Sequence, residues 1–276
     1  VLSLIWGSSF ILIKRGLVGL TAIQVGSFRI IFAALFLLLF GFNSLKKISR
    51  RQWKFVAITS VFGTFTPAFL FAIAETEVDS SIVAILNSLT PLNTLVLGII
   101  AFGIQFQKRQ VLGVFVGLIG CLLLVLSGAS AHPGQNYYYV VLVVIATLCY
   151  AINVNLIKKY LSDLNSVSIT TGNFAALLLP ALIILSFTDI TQRISFDVTQ
   201  HSILFVMILG VLGTGIANVV FFKLIQMSSP VFATSVTYLI PIVAFFWGLL
   251  DNEMLTPIQF FGAFIILIGV YLSAKK

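Results

Sequence analysis

The sequence predicts an all-α integral membrane protein, with ten transmembrane helices arranged as two inverted-topology five-helix repeats. Three observations carry this. The 276 residues are 59% apolar and 9% charged, with a mean hydropathy of +1.13, far outside the range of soluble domains. The apolar residues fall into ten runs, each bounded by polar or turn-forming breaks. A pattern in the third and fourth runs recurs in the eighth and ninth, 150 residues later. A soluble domain needs charges to cover its surface, whereas lipid surrounds apolar side chains and penalises only unsatisfied backbone groups, which helices satisfy internally.

A bilayer core about 30 Å thick takes roughly 17 to 25 apolar residues per helix. The first-half runs are Leu2 to Leu17, Ile23 to Phe42, Trp53 to Ala74, Ser80 to Phe102 and Val111 to Ser127. The second-half runs are Tyr137 to Ile157, Val167 to Phe187, Ile203 to Leu224, Pro230 to Leu250 and Pro257 to Ser273. Val1 lies inside an apolar run with no basic n-region or small-residue cleavage site, which reads as a first helix short of several residues rather than as a signal peptide.

With the N-terminus cytoplasmic, the inner connectors hold Lys46, Lys47, Arg50, Arg51, Lys54, Lys108, Arg109, Lys158, Lys159, Lys223, Lys275 and Lys276. The outer side holds Lys14, Arg15 and Arg193, with Arg29 set aside as intramembrane. That bias puts both termini in the cytoplasm and the protein in the bacterial inner (plasma) membrane. The net charge of +8 is spread over connectors rather than gathered into an aromatic-interleaved patch, so it argues for orientation and against nucleic acid. Cys121 and Cys149 fall inside apolar runs and read as small core residues, with no disulfide and no metal.

Val61-Phe62-Gly63-Thr64 is matched by Val211-Leu212-Gly213-Thr214, and the same offset carries Phe71 to Phe221, Leu89 to Leu239 and Pro91 to Pro241. One residue of slippage later, Gln110, Gly113 and Gly120 match Gln259, Gly262 and Gly269. The repeats are residues 1–130 and 131–276. Five helices per repeat is an odd number, so the second copy enters the membrane in the opposite sense. Such pseudo-two-fold architecture puts a site near the midplane, between halves that rock to expose it to either side.

At these residues the chain resembles the EamA family of the drug/metabolite transporter superfamily, over essentially its whole length. Trp6-Gly7-Ser8-Ser9-Phe10 followed by Lys14 resembles the family's first-helix motif, and Arg29 sits where the family commonly has an arginine. Ser80-Ser81 to Pro91 and Ser229-Pro230 to Pro241 resemble its paired proline-bearing helices. The acid usual after the ninth helix stands as Asp251-Asn252-Glu253, while the stretch from Gly103 to Gln107 lacks one. The resemblance implies ten helices, a central cavity lined mainly by helices 1, 3, 4, 6, 8 and 9, and transport of amino acids or other small metabolites, often as export.

Among individual residues, Pro91 and Pro241 each remove a helix hydrogen bond and free a carbonyl, giving either a static kink or a part of the moving core. At helical spacing Ser80, Ala84, Asn87, Pro91 and Thr94 share one face, and Pro230, Thr234, Thr237, Pro241 and Ala244 share the matching one. These stripes line the pathway or hold the bundle together by hydrogen bonds. Arg29 lies about 9 Å from the outer helix end at ~1.5 Å per residue, where its charge must be paired, hydrated or snorkelling. Facing a cavity, it is the natural partner of a substrate carboxylate. Lys14 is a second cation near the end of its helix.

Asn153, Asn155, Asn173 and Asn218 need hydrogen-bond partners in an apolar bundle, and Asn153 and Asn218 are the preferred cavity residues. Trp6 and Tyr238 can stack an aromatic substrate, and Ser9 completes the candidate pathway. Trp53, Trp247 and Tyr137 to Tyr139 sit at run ends, as interfacial belts do. Gly113, Gly117, Gly120, Gly262 and Gly269 allow close helix packing. No Asp or Glu lies within an apolar run, and His132 and His201 fall in or beside outer connectors. No metal spacing, nucleophile elbow or phosphate loop is present, so the expectation is a transporter of small molecules surrounded by lipid, with no cofactor and no catalytic group. A lipid or drug flippase, or a non-transporting scaffold or sensor, are the alternatives.

Overall fold

The structure, a computed structural model, describes residues 1–103, 108–131, 134, 136–251 and 256–274. Lys275, Lys276, His132, Asn252, Glu253 and residues 104–107 lie outside the described residues, as do the side chains of Cys121, Gln110 and Gln259.

Every regular element among the described residues is helical. In chain order these are α1 (Leu2–Leu17), α2 (Ala22–Lys47), α3 (Arg50–Ala74), α4 (Ser80–Phe102) and α5 (Lys108–Ala131). Then follow α6 (Tyr137–Tyr160), α7 (Ser166–Ser186), α8 (Asp197–Met227), α9 (Pro230–Leu250) and α10 (Pro257–Ala274). A single turn, Ile190–Arg193, lies between α7 and α8. By length and composition, 7 of them can cross a membrane: α2, α3, α4, α6, α7, α8 and α9. Large apolar side chains such as Leu39, Phe40, Ile100 and Phe187 are exposed on the outside. An exterior of that kind is stable only in lipid, and the chain is a multi-pass membrane protein.

Helix starts are written in the sequence. Thr21 and Gln24 form a reciprocal capping box at the head of α2, and Ser49 and Gln52 do the same for α3, each satisfying otherwise orphaned backbone N–H groups. Gly103 ends α4 with φ +70°, a left-handed conformation that a residue without a Cβ adopts at no steric cost.

Side-chain contacts tie matching ends of the bundle. At one end Gln52 donates to Asp163 at 3.2 Å. Lys158 at the end of α6 donates to the carbonyls of Ile225, Gln226 and Ser228 at 3.2, 3.1 and 2.6 Å, covering the orphan carbonyls where α8 finishes. At the other end Lys14 (Nζ to carboxylate 2.5 Å) and Arg15 of α1 both pair with Asp251 at the end of α9, and Gln24 donates to Asp189 at 3.0 Å. The Asp189 carboxyl is held below its usual range, mainly by the hydrogen bond from Arg193.

The two glycine-bearing helices α5 and α10 pack on each other. A Cβ at Gly120 would lie 2.7 Å from the Gly262 carbonyl oxygen, and one at Gly269 would lie 2.3 Å from the Gly117 nitrogen. The backbones therefore touch where a side chain would stand, the close-packing role that the glycine spacing predicts.

Besides the 3-10 ends of α2 (Phe42–Lys47) and α6 (Tyr137–Tyr139), four helices are interrupted within their length, in matched pairs. In α3 residues Val61–Phe65 form a wide π turn, directly ahead of Pro67, which cannot donate to the Gly63 carbonyl. In α8 residues Leu209–Ile216 do the same, with three glycines in that stretch. In α4 the helix breaks after Asn87 and resumes at Thr90 with Pro91. In α9 residues Ser235–Leu239 tighten to a 3-10 turn just before Pro241. These breaks alter the expected stripes, because 3.6-residue spacing does not carry across them. Ser80, Ala84, Pro91 and Thr94 of α4 are buried in packing.

Candidate functional site

The matched irregularities of α3, α8, α4 and α9 surround an interior cavity with α1, α2 and α6. It leaves about 70 Å³ for the centres of water-sized molecules. Its walls include Trp6, Ser9 and Phe10 of α1, Arg29 of α2, Thr64 and Phe71 of α3, and Asn87 and Thr90 of α4. The remainder includes Tyr150 and Asn153 of α6, Thr214, Asn218 and Phe221 of α8, and Thr237 of α9. These are the helices that the family resemblance implies, with the addition of α2.

The positioning of Arg29 begins with a glycine. A Cβ at Gly210 would lie 2.9 Å from the Arg29 carbonyl oxygen, so the absence of a side chain there lets α2 approach α8. One turn later the π geometry opens a backbone bond, and the Thr214 hydroxyl donates to the Leu209 carbonyl at 3.1 Å. The same hydroxyl accepts from Arg29 Nε at 2.7 Å. Tyr150 lines the same wall beside the guanidinium. Among the described residues no carboxylate pairs with Arg29. A guanidinium carries five N–H donors, and Thr214 takes the one on Nε.

The first-helix motif closes the walls. Gly7 lets α1 approach α9, where an added Cβ would stand 2.5 Å from Val243 Cβ. Trp6 Nε1 donates to the Gly213 carbonyl at 3.0 Å, and Trp247 Nε1 donates to Ser8 Oγ at 2.9 Å. Ser9 lies over Gly213, with Oγ 2.7 Å from where a Cβ would be. On the opposite half Asn153 lies over Gly63 in the same manner, at 2.5 Å. Thr64 Oγ1 and Asn153 Oδ1 are both buried and have no hydrogen-bond partner.

The aromatic lining is paired across the same two turns. Phe71 of α3 stacks with Tyr150 of α6 at 5.9 Å and meets Phe10 edge-on at 5.8 Å. Phe221 of α8 meets Trp6 of α1 edge-on at 4.8 Å. Phe71 and Phe221 are the residues matched at the 150-residue offset.

The structure brings Trp6, Ser9, Arg29, Asn87, Asn153, Asn218 and Thr237 to the cavity wall. Lys14 stands outside it, in the cleft with Glu75 and Asp79, and is paired with Asp251. Thr234 bonds to its own helix, donating to the Pro230 carbonyl at 3.0 Å, and Tyr238 packs against the core in a turn that lies against α1, α4 and α10. Pro91 and Pro241 are buried and are not among the described residues that line the cavity; each leaves the carbonyl four residues before it, of Asn87 and Thr237, without the N–H donor of an α-helical bond. Thr90 Oγ1 donates to the Asn87 carbonyl at 2.8 Å, and Ser88 of α4 reaches the Thr237 carbonyl of α9 at 3.5 Å.

Asn155 and Asn173 serve packing instead. Asn155 Nδ2 donates to the carbonyls of Thr94 and Ala151 at 3.1 and 2.9 Å, and Asn173 meets Thr59 at 3.2 Å. Thr64, Thr214, Phe71, Phe221 and Tyr150 are cavity residues that sequence reasoning missed. All but Tyr150 carried a signal, since they are the identities that define the repeat.

Comparison with known proteins agrees with this architecture. The description "EamA-like transporter family" matches residues 1–126 and 137–275. The "Uncharacterized inner membrane transporter YedA" of Escherichia coli (strain K12) is 25% identical over 286 residues, covering 100% of this chain and 91% of that protein. The "Probable amino-acid metabolite efflux pump" of the same organism is 25% identical over 283 residues, covering 98% and 91%. A solved structure described as "Crystal structure of protein" shares the fold, with a TM-score of 0.70 at 14% identity over 99% of this chain and 93% of that one. A match over both halves of the chain settles the family: this protein belongs to the EamA-like transporters and is a membrane transporter of the drug/metabolite type.

Proposed function

We propose that the chain is a secondary transporter, working as an exporter or exchanger of small carboxylate-bearing metabolites, the class to which amino acids belong. It works by alternating access between two inverted five-helix repeats, residues 1–130 and 131–276, with ten spans and both termini cytoplasmic in an inner membrane. The observation that carries this reading is Arg29, a cation inside an apolar bundle, held by Thr214 beside Tyr150 and open to a cavity rather than matched by an acid among the described residues. A charge in the membrane interior is costly, and a site that holds one in place is built for a ligand that neutralises it.

Several features support the two-repeat mechanism. The family match falls in two blocks, the π turns and the proline breaks recur in both halves, and each Gly-Thr turn is covered by a helix of the other half. The efflux name of one Escherichia coli relative favours export of amino-acid-like compounds. Basic connectors favour the cytoplasmic assignment of both termini.

The test is a thermal-shift screen of the purified protein against amino acids, organic acids, nucleosides and sugar phosphates, since a ligand of the folded state raises its stability. Hits are then followed by flux into proteoliposomes. A concentration-dependent shift and saturable flux, both lost in Arg29→Ala while the variant stays folded, are the expected results. Folded protein with no shift and no flux across the panel would shift the assignment to a flippase or a non-transporting scaffold.

A further inference from the structure

The cavity has two poles. One is Arg29, charged and without an acidic partner among the described residues. The other is Thr64 with Asn153, which are 4% and 2% exposed, each with an oxygen lacking any hydrogen-bond partner. Buried polar atoms are rarely left unpaired, because an unmade bond costs about 1–3 kcal/mol. Their position on the wall marks where a ligand supplies the missing bond. Tyr150, which lines the wall with Arg29, is three residues before Asn153 on α6, so the neutral pole and this ring occupy neighbouring positions of one helix face.

The charge balance of the walls is decisive. Among the described residues they contain one guanidinium and no Asp, Glu or His. A carboxylate on Arg29 brings the enclosed charge to zero. A zwitterion leaves the site with an extra ammonium that meets only neutral oxygens and ring faces, and a desolvated charge without a counter-charge is expensive. A neutral hydroxyl carries no such cost and satisfies an amide and a threonine as both donor and acceptor. Six aromatic rings, Trp6, Phe10, Phe71, Tyr150, Phe221 and Phe222, stand in the wall among neutral hydroxyls and amides.

We infer that the cavity selects a net-monoanionic aromatic carboxylate whose second polar group is neutral, an aryl hydroxy acid, in preference to the zwitterionic amino acid of the same skeleton. This rests on the transporter reading for its physiological meaning, while the ligand class itself is a property of the site.

The experiment uses phenyllactate, phenylalanine, phenylpropanoate and phenethylamine, which share one ring and differ in their polar groups. Isothermal titration of the full chain in detergent gives the affinities, and proteoliposome flux gives transport. Phenyllactate is expected to bind at least about tenfold more tightly than phenylalanine, with phenethylamine not bound. It is also expected to exceed phenylpropanoate by about tenfold, because a site built to bond a hydroxyl rejects the analogue lacking it. That second preference should vanish in Thr64→Val and in Asn153→Ala.

Phenylalanine binding as well as or better than phenyllactate would overturn the inference, and phenylalanine flux would then leave the transporter reading standing. Phenyllactate bound with the expected preferences but never carried across the bilayer would overturn transport and keep the ligand class. No phenyllactate binding to folded protein, or equal binding of phenyllactate and phenylpropanoate, would overturn the inference.

Discussion

At the Gly213-Thr214 turn of α8 the threonine hydroxyl donates to the Leu209 carbonyl and accepts from Arg29. At the Gly63-Thr64 turn of α3 the matching hydroxyl is buried with no partner at all. Both turns are π-widened, both lie against a polar side chain from the other half, and both face the same cavity. The difference lies in the neighbour. In α8 the facing α2 supplies a guanidinium, which completes the threonine and fixes a charge. In α3 the neighbour is Asn153, itself short of a bond, and the turn stays open to whatever enters. A repeated scaffold thus becomes polar in one direction, with a charged end already assembled and a neutral end left to be completed.

The largest test of this contrast is Arg29→Ala. Loss of a charge-assisted contact worth about 1.5–3 kcal/mol predicts ligand affinity lower by roughly tenfold to a hundredfold. Thr214 keeps its bond to Leu209, so the unfolding transition in detergent should hardly move. Unaltered affinity would remove Arg29 from the site.

Next is Thr214→Val, which takes a donor from a buried carbonyl and a partner from Arg29. It should lower stability by about 1–3 kcal/mol, read by thermal or denaturant unfolding. Thr64→Val, the same exchange in the other turn, removes an oxygen that has nothing to lose. Its effect on the ligand-free protein should stay within about 0.5 kcal/mol, in either direction. Equal destabilisation by both valines would show that the two turns are alike in the membrane protein and that the contrast is not real.

The smallest effect is a predicted flat line. With no carboxylate or imidazole among the described residues of the wall, affinity for a carboxylate ligand should stay constant between about pH 5.5 and pH 8. A step in titrations across this window would point to coupling through a group outside the cavity, such as Glu75 in the cleft beside Lys14.

Much of this was legible in the residues. The helices, the glycine contacts of α5 with α10, and the freeing of carbonyls by Pro91 and Pro241 follow from local rules. Choosing Asn153 and Asn218 over Asn155 and Asn173 agrees with where the four side chains lie. Other parts depend on tertiary context. Stripes drawn at regular spacing along α4 and α9 cannot survive a break at Ser88 or a 3-10 turn at Ser235–Leu239. The sequence already ranks Arg29, about 9 Å inside its helix at ~1.5 Å per residue, above Lys14 beside Arg15 at a helix end, and the approach of Asp251 to one and Thr214 to the other sharpens that difference. Thr64 and Thr214 were visible as a repeat but not as a wall, because a Gly-Thr pair alone does not say that its helix widens there.

Among the described residues the seam between α5 and α10 provides none to the cavity. At Gly120 on Gly262 and Gly269 on Gly117 backbone rests on backbone, and the Ile266 side chain fills the space over Gly120. Such a seam has no slack to take up extra volume. A bulky side chain introduced at Gly120 or Gly269 would act as a wedge, forcing the two helices apart without touching a residue of the cavity wall.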